Sequence, residues 1–182
     1  MIDRKEQTKV MLRDAMSQLL QEKAFDQITT TELVKVAKIS RSGFYTHYKD
    51  KRDMIDEYQK ALFNKIEYIF EKNKGFLKQT MLETYELLYT NDLYAALFSK
   101  NGNQESQQFM QNQLKLILDR SALHERHKLE QLDDLADIYA TTYYANAIFG
   151  LTQTWIDRKR KESPEQIASL LMLLVNKPDV QQ

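Results

Sequence analysis

Residues 28–51 read ITTTELVKVAKISRSGFYTHYKDK, and helix starts follow one another closely inside this stretch. Thr29 with Glu32 three places on is a capping box, in which the hydroxyl takes the Glu32 amide and the carboxylate takes the Thr29 amide; it opens a short helix over 30–37. Lys38-Ile39-Ser40 interrupts that helix, and Ser40 caps another over 41–48. Asp50-Lys51-Arg52-Asp53 then opens a longer one. Phe44 and Tyr48, four apart, share a face that packs inward on Leu33 and Val36. Arg41, Ser42, Gly43 and Thr46 form a face of small or hydrogen-bonding groups that lets a backbone approach closely. Tyr45, His47, Lys49 and Lys51 are left pointing outward, as donors suited to phosphate oxygens. Two short helices joined by a tight turn are the helix-turn-helix pattern, whose second helix enters the major groove of DNA.

Longer helices brace this pair. Upstream, Leu12, Met16, Leu19 and Leu20 recur at helical spacing over 4–24, and downstream Ile55, Tyr58, Leu62, Ile66 and Ile69 carry a helix to about residue 72. The formal charge of the whole chain is zero, but residues 1–52 hold 11 basic against 7 acidic side chains and the remainder 15 against 19. A basic head on an acidic body suits contact with phosphates at one end only.

The run Thr29-x-x-Glu32-Leu33-x-x-x-Ala37-x-Ile39-Ser40-x-x-Gly43-Phe44-Tyr45-x-His47-Tyr48-x-x-Lys51 resembles the signature of the tetracycline-repressor (TetR) family. The resemblance implies an all-α dimer with an amino-terminal DNA-binding domain and a larger domain that binds a small inducer and dimerises through its last two helices. It places phosphate contacts at Tyr45, His47 and Lys51, and base contacts around Arg41, Ser42, Gly43 and Thr46. Two positions depart from the pattern. Lys38 stands where the family usually has glycine, which predicts a strained or altered turn, and Gly43 stands where it usually has threonine.

The rest of the chain reads as helices too. Four glycines and two prolines in 182 residues leave few breakers, and no stretch alternates like a strand. The pattern predicts about nine helices, divided into a helix-turn-helix domain over 1–50 and a regulatory and dimerisation domain over 51–182. Body helices are expected between Gly75 and Asn91, over 92–99, 104–123 and 129–161, and from Pro164 to Val175. Ser163-Pro164-Glu165-Gln166 gives the last of these its start.

Tyr85, Tyr89, Phe109, Tyr139 and Tyr143 are candidates to line an effector pocket, although aromatics at helical spacing also serve as ordinary core. Phe149, Gly150, Trp155, Ile167, Leu170, Leu171 and Leu174 are the candidate dimer interface. Phe149-Gly150-Leu151, Trp155-Ile156 and the segment from Ser163 are similar to a Gram-positive TetR subgroup that includes regulators of dihydroxyacetone kinase genes. Some of that subgroup are thought to answer to a protein partner and to activate.

His124 and His127 have a spacing usable by a metal, but no third ligand joins them, so no metal and no cofactor are expected. Arg158-Lys159-Arg160-Lys161 reads as cations in the last turn of a helix rather than a second nucleic-acid patch. The chain has no cysteine, no phosphate-binding glycine loop and no nucleophile–base arrangement. The expected protein is therefore a cytoplasmic homodimer, not an enzyme, that binds a palindromic operator in double-stranded DNA. It would be a repressor released by a small-molecule effector or, alternatively, a partner-controlled activator.

Overall fold

The computed structural model describes residues 4–74, 76–119 and 134–175, and these form nine α-helices and one 3₁₀ turn, with no strand among them. The helices are α1 (Arg4–Glu22), α2 (Thr30–Val36), α3 (Arg41–Tyr45), α4 (Lys51–Lys72), α5 (Leu77–Thr90), α6 (Asp92–Phe98), α7 (Gln104–Asp119), α8 (Asp134–Asp157) and α9 (Pro164–Val175). The 3₁₀ turn, Phe25–Gln27, joins α1 to α2.

Helix α1 buries Leu12, Ala15, Met16, Leu19 and Leu20 along one side, which is the stripe its periodicity predicts. Helices α2 and α3 fold over the near end of this stripe through Leu33, Phe44 and Tyr48. Helix α4 starts beside them and runs into the body, where Leu62, Phe63, Ile66 and Ile69 become core. At the centre lies α6, in which every residue from Leu93 to Phe98 is buried, packed between α1 on one side and α8 on the other. Helices α7 with α8, and α5 with α9, close around it. One apolar core is therefore continuous from Leu12 to Leu171, and no described helix is long and apolar enough to cross a membrane.

Helices α3 and α8 end well before the residues at which their periodicity predicts it. In α3 the Thr46 hydroxyl donates to the Gly43 carbonyl at 2.6 Å, and the His47 amide turns to Phe44 instead. A side chain that competes for a backbone acceptor tapers a helix in this way. Helix α8 stops at Asp157 because Lys159 and Arg160 take left-handed backbone angles, φ 63° and 53°. The Arg160 amide then closes back on the Trp155 carbonyl at 2.9 Å. The Arg158–Lys161 run is thus not a helical last turn. Arg158 pairs with Glu162, and Arg160 donates to the Leu88 and Tyr89 carbonyls at the end of α5 and to Asp92.

Candidate nucleic-acid interface and regulatory body

The amino-terminal unit is specified by polar caps. The Thr29 hydroxyl accepts from the Glu32 amide at 3.1 Å, and the Glu32 carboxylate accepts from the Thr29 amide at 2.9 Å, completing the box. Lys23 joins it at 2.6 Å from the other carboxylate oxygen. The hydrogen bond from Lys23, then those from Thr29, hold the Glu32 carboxyl at about 2. Lys38 ends α2 with φ 55°, and the Ile39 amide reaches back to the Val34 carbonyl at 3.1 Å, so lysine performs the left-handed closure usually left to glycine. Ser40 then accepts from the Gly43 amide at 3.0 Å and starts α3.

With Phe44 and Tyr48 buried, Arg41, Ser42, Tyr45 and Thr46 stand exposed on the outer side of α3, with Gly43 and His47 partly covered and Lys49 exposed beyond them. Tyr45 meets Phe44 edge-on, and the Arg41 guanidinium lies 5.7 Å from the Tyr45 ring. The sequence-predicted residues Arg41, Ser42, Gly43, Tyr45, Thr46, His47 and Lys49 therefore lie on or directly after one short helix, while Thr29 stands at the start of α2. Groups at the start of α4 are already engaged within the chain, the expected donor Lys51 among them. The Asp50 carboxylate accepts from the Arg52 and Asp53 amides at 2.7 and 2.9 Å, capping α4. Lys51 directs its ammonium at the carbonyls of Phe25, Asp26 and Ile28.

In the body, Tyr85 lines an interior cavity between α4, α5, α7 and α8, walled by side chains such as Phe63, Phe70, Met81 and Met110. Its volume is about 30 Å³. Among the described residues no charged side chain lines it, and the polar groups they supply are the hydroxyls of Thr84, Tyr85 and Thr152. The Tyr85 and Thr152 hydroxyls lie 3.4 Å apart, and burial pushes the phenol up to about 12. The other pocket candidates lie elsewhere. Tyr89 is half-exposed and stacks on Trp155, while Phe109 borders a surface groove between α4 and α7 and sits edge-on to Phe63. Tyr139 and Tyr143 are 68% and 67% exposed, outside the cavity altogether.

The interface candidates divide by exposure. Phe149, Trp155, Ile167 and Leu171 are buried within the chain, Phe149 as part of the cavity wall. Gly150, Leu170 and Leu174 are exposed, and a Cβ built on Gly150 would meet nothing within 4 Å. Tyr139, Tyr143, Ala147 and Leu173, on the same two helices, are exposed as well. The period of 3.6 identifies both sides of these helices but does not distinguish them, because α8 is apolar nearly all round. His124 and His127 lie outside the described residues, among which no group of three or more potential metal ligands occurs.

An all-helical chain that displays a capped helix pair with a bare polar outer face has the build of a helix-turn-helix DNA-binding protein. The family models agree: bacterial regulatory proteins of the tetR family match residues 12–58, and a transcriptional regulator C-terminal region matches residues 77–177. The second match alone covers more than half of the chain, and the protein belongs to the tetR family of transcriptional regulators. It is 22% identical over 173 residues to DhaS of Lactococcus lactis subsp. lactis (strain IL1403), an activator of the dhaKLM operon, covering 91% of this chain and 89% of DhaS. It is also 22% identical over 179 residues to YxbF of Bacillus subtilis (strain 168), an HTH-type transcriptional regulator; that match covers 94% of this chain but only 45% of YxbF. The fold is shared with the fatty acid degradation regulator FadR of Bacillus halodurans, with a TM-score of 0.67 at 16% identity over 94% of this chain and 96% of that one.

Proposed function

We propose that this regulator acts in the cytoplasm as a homodimer that binds a palindromic operator through α3 and represses transcription until a small molecule enters its body. The observation that carries the reading is the exposed outer side of α3 above a buried Phe44–Tyr48 anchor. Arg41, Ser42, Gly43 and Thr46 face base edges, while Tyr45, His47 and Lys49 donate to the flanking phosphates and Thr29 marks the α2 end nearest the backbone. Residues 1–50 are the DNA-reading domain and residues 51–182 the regulatory and dimerisation domain. The exposed face around Gly150, Leu170 and Leu174 pairs with its copy in a four-helix arrangement, setting two α3 helices about 34 Å apart to match successive major grooves. An effector that alters this separation lowers operator affinity by shifting the population of dimers. The cavity lining selects an uncharged, largely apolar molecule with one group able to pair with the Tyr85 or Thr152 hydroxyl. The activity assigned is binding, not turnover.

The test is binding to DNA from upstream of the protein's own gene, at two salt concentrations with nonspecific competitor present. Saturable, competitor-resistant and salt-sensitive binding supports the reading. Binding that competitor removes at equal mass sinks sequence specificity.

A second reading has an observation of its own. Drug-sized ligands occupy pockets of about 300 Å³ or more, whereas this cavity measures about 30 Å³. Control by a protein docking on the acidic body needs no interior space. Native mass spectrometry of the protein isolated from its own cells separates the two: a retained small molecule favours the first, a stoichiometric polypeptide the second.

A further inference from the structure

The short turn from Phe25 to Ile28 lies between the DNA-reading helices and the body, and it is fastened from both sides. On the body side Asn101, in the turn between α6 and α7, uses two groups: its carbonyl accepts from the Phe25 amide at 2.8 Å, and its side-chain amide donates to the Leu20 carbonyl at 2.9 Å. On the α4 side, the Lys51 ammonium lies 2.7 Å from the Phe25 carbonyl, 3.2 Å from that of Asp26 and 2.6 Å from that of Ile28. It also sits 4.5 Å from the centroid of the Phe25 ring. An ammonium has three protons, and three backbone acceptors surround this one. Burial lowers the pKa of Lys51, while Lys49 stands on the exposed surface.

We infer that Lys51 is a positioning residue, which sets the orientation of α2 and α3 by clamping the Phe25–Ile28 turn instead of contacting phosphate, and that Asn101 is the body's half of the same fastening. The inference rests on α3 as the DNA-reading helix. Ile28 directly precedes Thr29, the N-cap of α2, so a carbonyl held at Ile28 fixes the angle at which α2 leaves the turn. Asn101 in turn is held by its neighbours. A Cβ on Gly102 would come within 2.4 Å of the Leu97 carbonyl, so the loop can approach α6 this closely only with glycine there. Phe98, the next residue of α6, lines the cavity. A displaced Phe98 therefore reaches Asn101 through three peptide links, and reaches α2 through the turn. The body has a short mechanical route to the reading helices that does not pass along α4.

The experiment compares Lys51→Met with Lys49→Met in the full chain, using an upstream fragment that the unmutated protein binds and a series of salt concentrations. For Lys51→Met the expected result is a lower thermal midpoint and about tenfold weaker binding, with an unchanged slope of log affinity against log salt. A slope shallower by about one with an unchanged midpoint is the signature of a lost phosphate contact and overturns the inference. Acylation of lysines in the unmutated, DNA-free protein, read by mass spectrometry, needs neither a folded variant nor an operator. Lys51 is expected to label at least about tenfold more slowly than Lys49, since three carbonyls and the Phe25 ring enclose its nitrogen and keep the reagent from it; equal rates overturn the clamp even where DNA binding itself is intact. Asn101→Ala is expected to weaken operator binding several-fold, and unchanged affinity removes the body's half.

Discussion

The amino-terminal unit and the body are built from different information. In the first, Thr29, Glu32, Ser40 and Asp50 each satisfy particular backbone amides a few residues away, so sequence position and spatial role nearly coincide. In the body, identity comes from which side of a helix is covered. Leu170 and Leu171 are chemically the same, yet one is 44% exposed and the other 3%. Capping chemistry acts locally and burial acts through the whole tertiary arrangement, so the two regions should fail differently when altered.

The largest effect is expected where burial decides. Leu171→Asp places a carboxylate in the core between α5 and α9 and should abolish the cooperative thermal transition seen by circular dichroism. Leu174→Asp, at a position 54% exposed, should leave the helices intact and give a monomer by sedimentation equilibrium. If both variants merely dissociate, the division of α9 into a buried and an exposed side does not hold. Next is Gly102→Ala, where the added methyl would sit 2.4 Å from the Leu97 carbonyl; a loss of about 1–3 kcal/mol is expected by denaturant titration.

A smaller cost separates the two kinds of threonine. Thr29→Ala removes a helix cap and should cost about 1 kcal/mol. Thr154→Ala removes a hydroxyl that only bonds back to the Gly150 carbonyl on an exposed helix face, and should stay within about 0.5 kcal/mol. Equal costs would erase the contrast between the unit and the body. The smallest effect is electrostatic. The Glu32 carboxyl should titrate near 2 by NMR rather than at its usual 4.5, and because its folded value is the lower one, its contribution to stability is present above 4.5 and fades as pH falls toward 2. In Lys23→Met that titration should move back up, since the Lys23 hydrogen bond is the first cause of the shift.

What could be read from the chain before folding follows the same divide. The capping box at Thr29, the caps at Ser40 and Ser163, and the closure at Lys38 all involve partners within five residues, and the sequence places them within a residue or so. The stripe of α1 was equally plain. Lys51 was not, because its partners lie more than twenty residues upstream and an exposed-looking lysine after a polar helix start gives no hint of three waiting carbonyls. Tyr139 and Tyr143 share the aromatic spacing of a pocket wall, but α8 is apolar on several sides and only packing shows that these two face outward. Asn101 had a trace in the Asn-Gly-Asn loop, a turn signal that says where the chain bends but not what it will touch.

The near-filled cavity sets a clock as well as a size limit. A molecule too large for that free space cannot be housed until side chains such as Phe70, Phe98 or Met110 swing aside, so its capture waits on an opening step that proceeds without it. Raising the concentration of such a molecule would speed its capture only up to the opening rate, where the observed rate levels off. Its apparent affinity would be diluted by the fraction of chains open at any moment. A substitution that trims one wall, Phe70→Leu for instance, would then quicken the response of the regulator without adding a single contact to what it binds.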